Sequence, residues 1–148
     1  MQAEARRFAE RWRQYAVAGK VIQIRGESIL FKPRVFTRSF WLHLKGQGEM
    51  PAVGEVQLVV NPAVFDCKRI ILRRSGEVKV PLIDDHGDEL EHLRGRLGEI
   101  SPAGDGFVLD IGFPVVITLL EPCQELDRAR EGEILDLELA PPAQGHLL

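Results

Sequence analysis

The chain has 148 residues, 45% apolar and 28% charged, with 14 Gly, 9 Pro and a formal net charge of −3. That balance argues against a disordered protein, and the length suits one ordinary domain or two very small ones, burying roughly two-thirds of the unfolded surface with no need of a metal or a disulfide. The longest apolar runs, such as Val115–Leu120, fall far short of the ~20 residues that cross a bilayer, and the amino terminus is charged; the expectation is a cytoplasmic protein with no membrane contact.

In chain order, residues 3–17 predict a helix, because Phe8, Trp12 and Tyr15 recur at i, i+4 and i+7 beside Ala5, Ala9 and Ala16, with Gly19 as its stop. Phe8, Trp12 and Tyr15 are assigned to packing over an open side of the remaining structure or against a partner. After Gly19 the pattern changes to short runs rich in Val, Ile, Leu and Phe, bounded by Gly, Pro, Asp and Ser. Strands are expected at Lys20–Ile24, Ile29–Phe31, Arg34–Phe36, Phe40–Leu44, Val56–Val60, Ile70–Leu72, Val78–Leu82, Gly95–Ile100, Phe107–Ile111, Val115–Leu120 and Ile134–Leu139. Gly104-Asp105-Gly106 is expected to form a tight turn. With few helical connectors, the predicted fold is mainly β, an antiparallel barrel or sandwich preceded by one helix.

The chain also carries a weak internal repeat. Gly19-Lys20-Val21-Ile22-Gln23-Ile24 is echoed by Gly95-Arg96-Leu97-Gly98-Glu99-Ile100, and Gly54-Glu55-Val56-Gln57-Leu58 by Gly132-Glu133-Ile134-Leu135-Asp136-Leu137, at nearly the same separation. The reading is an amino-terminal helix over 1–18, a basic β unit over 19–83, an acidic connector over 84–94 and an acidic β unit over 95–148, separate or merged in one domain. Lys and Arg exceed Asp and Glu by 8 in residues 1–74, whereas the acids exceed the bases by 11 in residues 75–148. Such a split predicts an anionic partner on one surface and protein contacts on the other, unless folding interleaves the halves.

Within the basic half, residues 31–41 interleave cations with aromatics. If that segment is extended, Lys32, Arg34, Phe36, Arg38 and Phe40 share one face, and Val35, Thr37 and Trp41 the other. Cations neutralise phosphates and flat rings stack on unpaired bases, so the five residues on the first face are the candidate contact for single-stranded nucleic acid or another polyanion. The competing assignment makes the aromatics core and the cations ordinary solvated residues.

Catalysis has no visible address: phosphate-binding GxxxxGK[ST], nucleophile-elbow GxSxG and a strand-to-helix GxGxxG are all missing, so no catalytic residue and no cofactor is expected. The stretch Asp84–His92 holds hard metal ligands in a spacing that matches no metal motif and is read as a solvated connector; no metal is expected. His43 is read as a hydrogen-bonded structural histidine. Cys67 and Cys123 are read as buried thiols, since a bridge would require an oxidising compartment.

Arg69-Ile70-Ile71-Leu72-Arg73 followed by Glu99-Ile100-Ser101-Pro102-Ala103-Gly104 resembles the PilZ signature, RxxxR and then [DN]xSxxG, with Glu99 in place of Asp or Asn. The resemblance implies a small β-barrel on which the arginines and the second motif clamp cyclic di-GMP. The preferred reading remains a non-enzymatic binding or assembly module, taking single-stranded nucleic acid or another polyanion on its basic half. The alternatives are a protein–protein assembly component, with a protein partner or a second copy, and a degenerate PilZ-like domain.

Overall fold

The computed structural model describes residues 3–44, 48–71 and 78–148. Its elements are α1 (Ala3–Arg11), β1 (Val17–Arg25), β2 (Ser28–Pro33), β3 (Phe40–His43), β4 (Gly54–Ile70), β5 (Leu82–His86), β6 (Glu89–Ile100), β7 (Gly106–Asp110), β8 (Pro114–Leu119), α2 (Gln124–Arg128) and β9 (Ile134–Leu147). The protein is therefore mainly β, with one long helix at the front. No described helix is long and apolar enough to cross a membrane.

All strands join one sheet, whose hydrogen bonding runs β1-β2-β3-β9-β4-β8-β7-β6-β5, with further pairings β1–β4 and β9–β6. Those two pairings close the path twice. One circuit passes through β1, β2, β3, β9 and β4, the other through β6, β7, β8, β4 and β9, and the long strands β4 and β9 belong to both. The circuits are built alike. β1 pairs antiparallel with β2 and β4 as β6 does with β7 and β9, β2–β3 matches β7–β8, and the parallel pairing β3–β9 matches β8–β4. The register of β1 on β2 shifts after Val21, and that of β6 on β7 shifts after Leu97.

Several sequence expectations need correction. The helix leaves α geometry at Trp12 (φ −107°, ψ 15°), passes through a short 3-10 turn over Arg13–Tyr15 and enters β1 at once, so Gly19 is no helix stop. Gly19 lies inside β1 because a Cβ there would collide with the Lys32 carbonyl oxygen and the Phe31 ring. Gly95 of β6 sits equally close to the Asp110 carbonyl and Ile111. Arg34 and Val35 form a turn, not a strand, since β2 ends at Pro33. Ile70 is the end of the long β4, Leu72 lies outside the described residues, and β5 begins only at Leu82.

The stretch read as an acidic connector is a paired hairpin. Ile83 pairs with Leu93 and His86 with Glu89, and the turn between β5 and β6 uses Gly87 (φ 56°) and Asp88 (φ 66°), the left-handed pair that a two-residue hairpin requires. The cysteines are likewise not free thiols. Cys67 and Cys123 form a disulfide with Cα atoms 6.6 Å apart, tying β4 to the segment that leads into α2.

One continuous core runs through both circuits, from Val21, Phe31, Phe40 and Leu58 to Leu93, Phe107, Ile117 and Leu137. Phe40 stacks on Phe113 at 6.2 Å and meets Phe31 edge-on at 6.0 Å, so rings from the two sequence halves touch. A smaller cluster lies outside: Trp12 covers Val59, Val108 and Val116, with Phe8, Tyr15 and Ala16 around it.

Candidate functional site

Strand alternation decides what reaches the outside of the first circuit. In β2, Ile29, Phe31 and Pro33 are buried while Ser28, Leu30 and Lys32 are partly exposed; in β3, Phe40 and Leu42 are buried while Trp41 and His43 are partly exposed. In β1, Gly19 and Val21 are buried around an exposed Lys20. The register sets Lys20 beside Lys32, places Leu30 between Gln23 and Trp41, and places Ser28 between Arg25 and His43. The Arg25 guanidinium lies over the Trp41 ring, 4.8 Å from its centroid. The result is an outward face with one aromatic ring, one leucine and the cations Lys20, Lys32 and Arg25.

Two carboxylates border it. Glu55 of β4 pairs in register with Lys20 and lies 3.3 Å from Arg34, and Glu27 lies 3.7 Å from His43, whose other ring nitrogen is 3.3 Å from the Ser28 hydroxyl. At one end of the face Gly19, Lys20, Ile22, Lys32, Arg34 and Glu55 line a depression of about 430 Å³.

The five residues expected to share a face in 31–41 do not do so. Lys32 belongs to the outward face of β2. Phe40 is 1% exposed, and Phe36 is half-buried against Phe40 and Phe113 at 6.5 and 5.7 Å. Arg34 and Arg38 are exposed but engaged: Arg34 with Glu55, and Arg38 with Asp85 at 3.0 Å, with the Ile83 carbonyl at 2.5 Å and with the Phe36 ring. The Trp41 backbone N–H donates to the Asp88 carbonyl at 2.9 Å. The basic segment and the acidic hairpin are thus each other's partners, and part of the opposite charge of the two halves cancels locally. The aromatic left outside is Trp41, on the side opposite Phe40.

A second concavity, of about 470 Å³, lies beside α1 over the other circuit, where Phe8 and Trp12 meet Asn61, Val116, Thr118, Gln144 and His146. Its floor is a closed polar network. The Asn61 amide donates to the Val116 carbonyl at 2.7 Å and to the Thr118 hydroxyl at 2.9 Å, and its oxygen accepts from His146 Nε2 at 3.0 Å. The Phe8 ring packs on the imidazole at 4.2 Å. Burial lowers the His146 pKa to about 4, so the ring is neutral near pH 7.

Around this concavity the amino-terminal segment is tied to the β6–β7 turn. Arg11 donates to the Ser101 hydroxyl and lies 3.5 Å from Asp105, and Ser101 donates to Asp105 at 2.8 Å, which lowers the Asp105 pKa. The Tyr15 hydroxyl donates to Glu99 at 2.6 Å, a bond that raises the phenol pKa to about 12. Phe8, Trp12 and Tyr15 therefore all pack or bond onto the β structure. Ser101 faces Arg11 and Asp105 rather than a histidine, and His146 faces an amide, so neither group is arranged as a nucleophile with its base. Among the described residues no cluster of three or more His, Cys, Asp and Glu could hold a metal ion.

The residues of the PilZ-like pattern are occupied separately. Arg69 of β4 binds Glu133 at 2.8 Å, which lowers the Glu133 pKa; Glu99 and Ser101 hold the amino-terminal segment, and Gly104 (φ 72°) shapes the β6–β7 turn. Arg69 pairs with Leu135, which pairs with Gly95 near the middle of β6, whereas Ser101 follows the end of that strand. Arg73 lies outside the described residues. Lys20 and Arg25 are the members of the outward face that sequence reasoning missed; Lys20 alternates with buried Gly19 and Val21, but only the register sets it against Lys32 and Arg25 against Trp41. The Asn61–His146 contact joins positions too far apart for any local signal. No protein-family model, no curated protein and no solved structure matches this chain.

Proposed function

We propose that the protein is a non-enzymatic binding module that takes a polyanion on the amino-terminal half, built from a duplicated unit whose two copies form small barrels sharing β4 and β9. The duplication rests on the matched pairings of the two circuits and on Gly19 and Gly95, which each make room for a neighbouring carbonyl at corresponding places. The observation that carries the binding reading is the cluster of Lys20, Lys32 and Arg25 on one outward sheet face. Lys20 and Lys32 stand directly opposite one another, a like-charge pair that an anion lying between them would relieve.

The test is a titration of labelled single-stranded DNA, RNA and inorganic polyphosphate by fluorescence anisotropy at two salt concentrations. Binding that weakens as salt rises is expected, because each phosphate contact releases counterions. Lys32→Ala should reduce the slope of log affinity against log salt by about 0.7 for a single strand. Absence of binding to all three at low salt would remove the reading. Labelled cyclic di-GMP belongs in the same plate; the separate engagement of Arg69 and Ser101 favours no binding there.

A second reading, a protein-assembly component, is favoured by one observation. Phe65 and Leu120 are 57% and 49% exposed, and the Leu120 N–H bonds the Val64 carbonyl, which brings the two apolar side chains' strands together. A dimer detected by light scattering and abolished by Phe65→Ser would support it.

A further inference from the structure

The outward faces of the two circuits can be laid over one another through their pairings. Leu30 on β2 faces Trp41 on β3, and in the same place of the second circuit Val108 on β7 faces Val116 on β8. The chain covers the second pair with a flat ring, the indole of Trp12, and buries Val108 and Val116 to 4% and 1% exposure. Nothing described in the chain covers the first pair in that way: Leu30 and Trp41 stay partly exposed, flanked by Lys20 and Lys32 towards one end and by Arg25 over the ring.

We infer that the Leu30–Trp41 face is a stacking site for an unpaired base of single-stranded nucleic acid, with the base lying on the Arg25–Trp41 pair and the adjoining phosphates on Lys20 and Lys32. The inference rests on the polyanion reading and gives it a ligand class. Its warrant is chemical. A guanidinium stacked on an indole extends a flat, cationic platform, which suits a base because every base has a π face. Lys32 sits one outward row along β2 from Leu30, a spacing of roughly 7 Å and about the separation of a base from a neighbouring phosphate, and Lys20 stands opposite it on β1. Ser28, Gln23 and His43, outward on the same strands, offer hydrogen-bonding groups to base edges. Duplex DNA would keep its bases stacked inside and could use only the lysines.

The experiment titrates two labelled polyanions of equal charge, a single-stranded oligothymidylate and a poly-glutamate, into the wild type, Trp41→Ala and Trp41→Phe. All three proteins are first matched for circular dichroism and thermal midpoint. Stacking predicts that Trp41→Ala weakens oligothymidylate binding on the order of 10-fold or more, that Trp41→Phe recovers much of it, and that poly-glutamate binding is unchanged by either. If both polyanions bind the wild type and Trp41→Ala alters neither, the stacking site is overturned while the polyanion reading stands. If poly-glutamate binds and the oligonucleotide does not, an acidic protein segment is the ligand and the inference fails. If neither binds, both readings fall together. Should Trp41→Ala not fold, quenching of indole fluorescence in the wild type decides: a stacked base quenches it, poly-glutamate does not, and equal quenching by both overturns the site.

Discussion

The two circuits share their pairing pattern and their two longest strands, yet they finish their outward faces differently. The second places small β-branched residues, Val108 and Val116, on β7 and β8 and covers them with Trp12, which the amino-terminal segment brings in. The first places Leu30 and Trp41 there, and among the described residues no ring from elsewhere in the chain covers them as Trp12 covers the valines. A Val–Val pair left in water would expose apolar surface with no polar group to offset it, whereas a tryptophan beside an arginine and two lysines tolerates partial exposure. The same pairing pattern thus supports a closed face in one circuit and an open one in the other, and the difference lies in a few outward side chains.

The largest predicted effect concerns the bridge that ties the shared strand β4 to the segment following β8 in the second circuit. The Cys67–Cys123 bridge spans a sequence separation of 56, so removing it by Cys67→Ala with Cys123→Ala should destabilise the oxidised protein by about 4 kcal/mol on loop-closure entropy. Denaturant midpoints measured with and without reductant check this. A double variant as stable as the oxidised wild type would mean that the bridge contributes nothing to the second circuit's closure.

Trp12→Ala comes next, at about 3 kcal/mol, because it uncovers Val59, Val108 and Val116 together and loosens Phe8 from His146. The glycines test whether the circuits truly correspond. Gly19→Ala and Gly95→Ala each push a methyl group into a carbonyl, and both should lose about 2 to 3 kcal/mol in thermal or denaturant unfolding. A large loss at one position and none at the other would break the correspondence on which the comparison rests.

Much of this frame can be read from the sequence, and for physical reasons. Runs of alternating burial such as Ile29-Leu30-Phe31 and Phe40-Trp41-Leu42 carry the period of two that marks strands, and the aromatic spacing of Phe8, Trp12 and Tyr15 announces an amphipathic segment. The echo of Gly19 at Gly95 is legible as well, although its cause, a carbonyl at van der Waals contact, is not. What fails is anything decided by register or long-range pairing. The acidic stretch looks like a linker because its charges are solvated, yet Gly87-Asp88 is a hairpin turn and Asp85 is the partner of Arg38. For the same reason residues 31–41 look like a binding strand, although Phe36 and Phe40 are drawn into the core by Phe113, far away in sequence. Cys67 and Cys123 read as thiols on the redox compartment alone, and no local signal shows that residues so far apart in sequence meet.

A smaller effect separates the closed face from the open one by pH. Burial holds His146 at a pKa of about 4, below its ordinary value of 6.5, so the folded state favours the neutral ring. The unfolded chain takes up a proton near 6.5 while the folded chain does not until about 4. The stability that His146 lends is therefore fully present above 6.5 and is lost as the pH falls from there towards 4, amounting to about 2 kcal/mol between about pH 8 and about pH 5. His146→Gln should be less stable at pH 8 yet show a flatter decline, read from thermal midpoints across that range. An unchanged slope would place the acid sensitivity elsewhere, and the closed face would then lack the pH signature that its buried network implies.

The smallest predicted stability change is the one that gives the comparison its meaning. Trp41→Ala removes an indole of the same size as Trp12, but one that touches solvent and shares its surface with Arg25 rather than with a buried valine pair. Partial exposure in the folded state means that less apolar area is returned to water on truncation, so the loss should stay within about 1 kcal/mol. The tryptophan that covers the second circuit's face and the tryptophan that lies on the first circuit's face would then differ severalfold in what they contribute to folding. A Trp41→Ala loss equal to that of Trp12→Ala would make the first face as structural as the second, and the exposed ring would need no ligand to explain it.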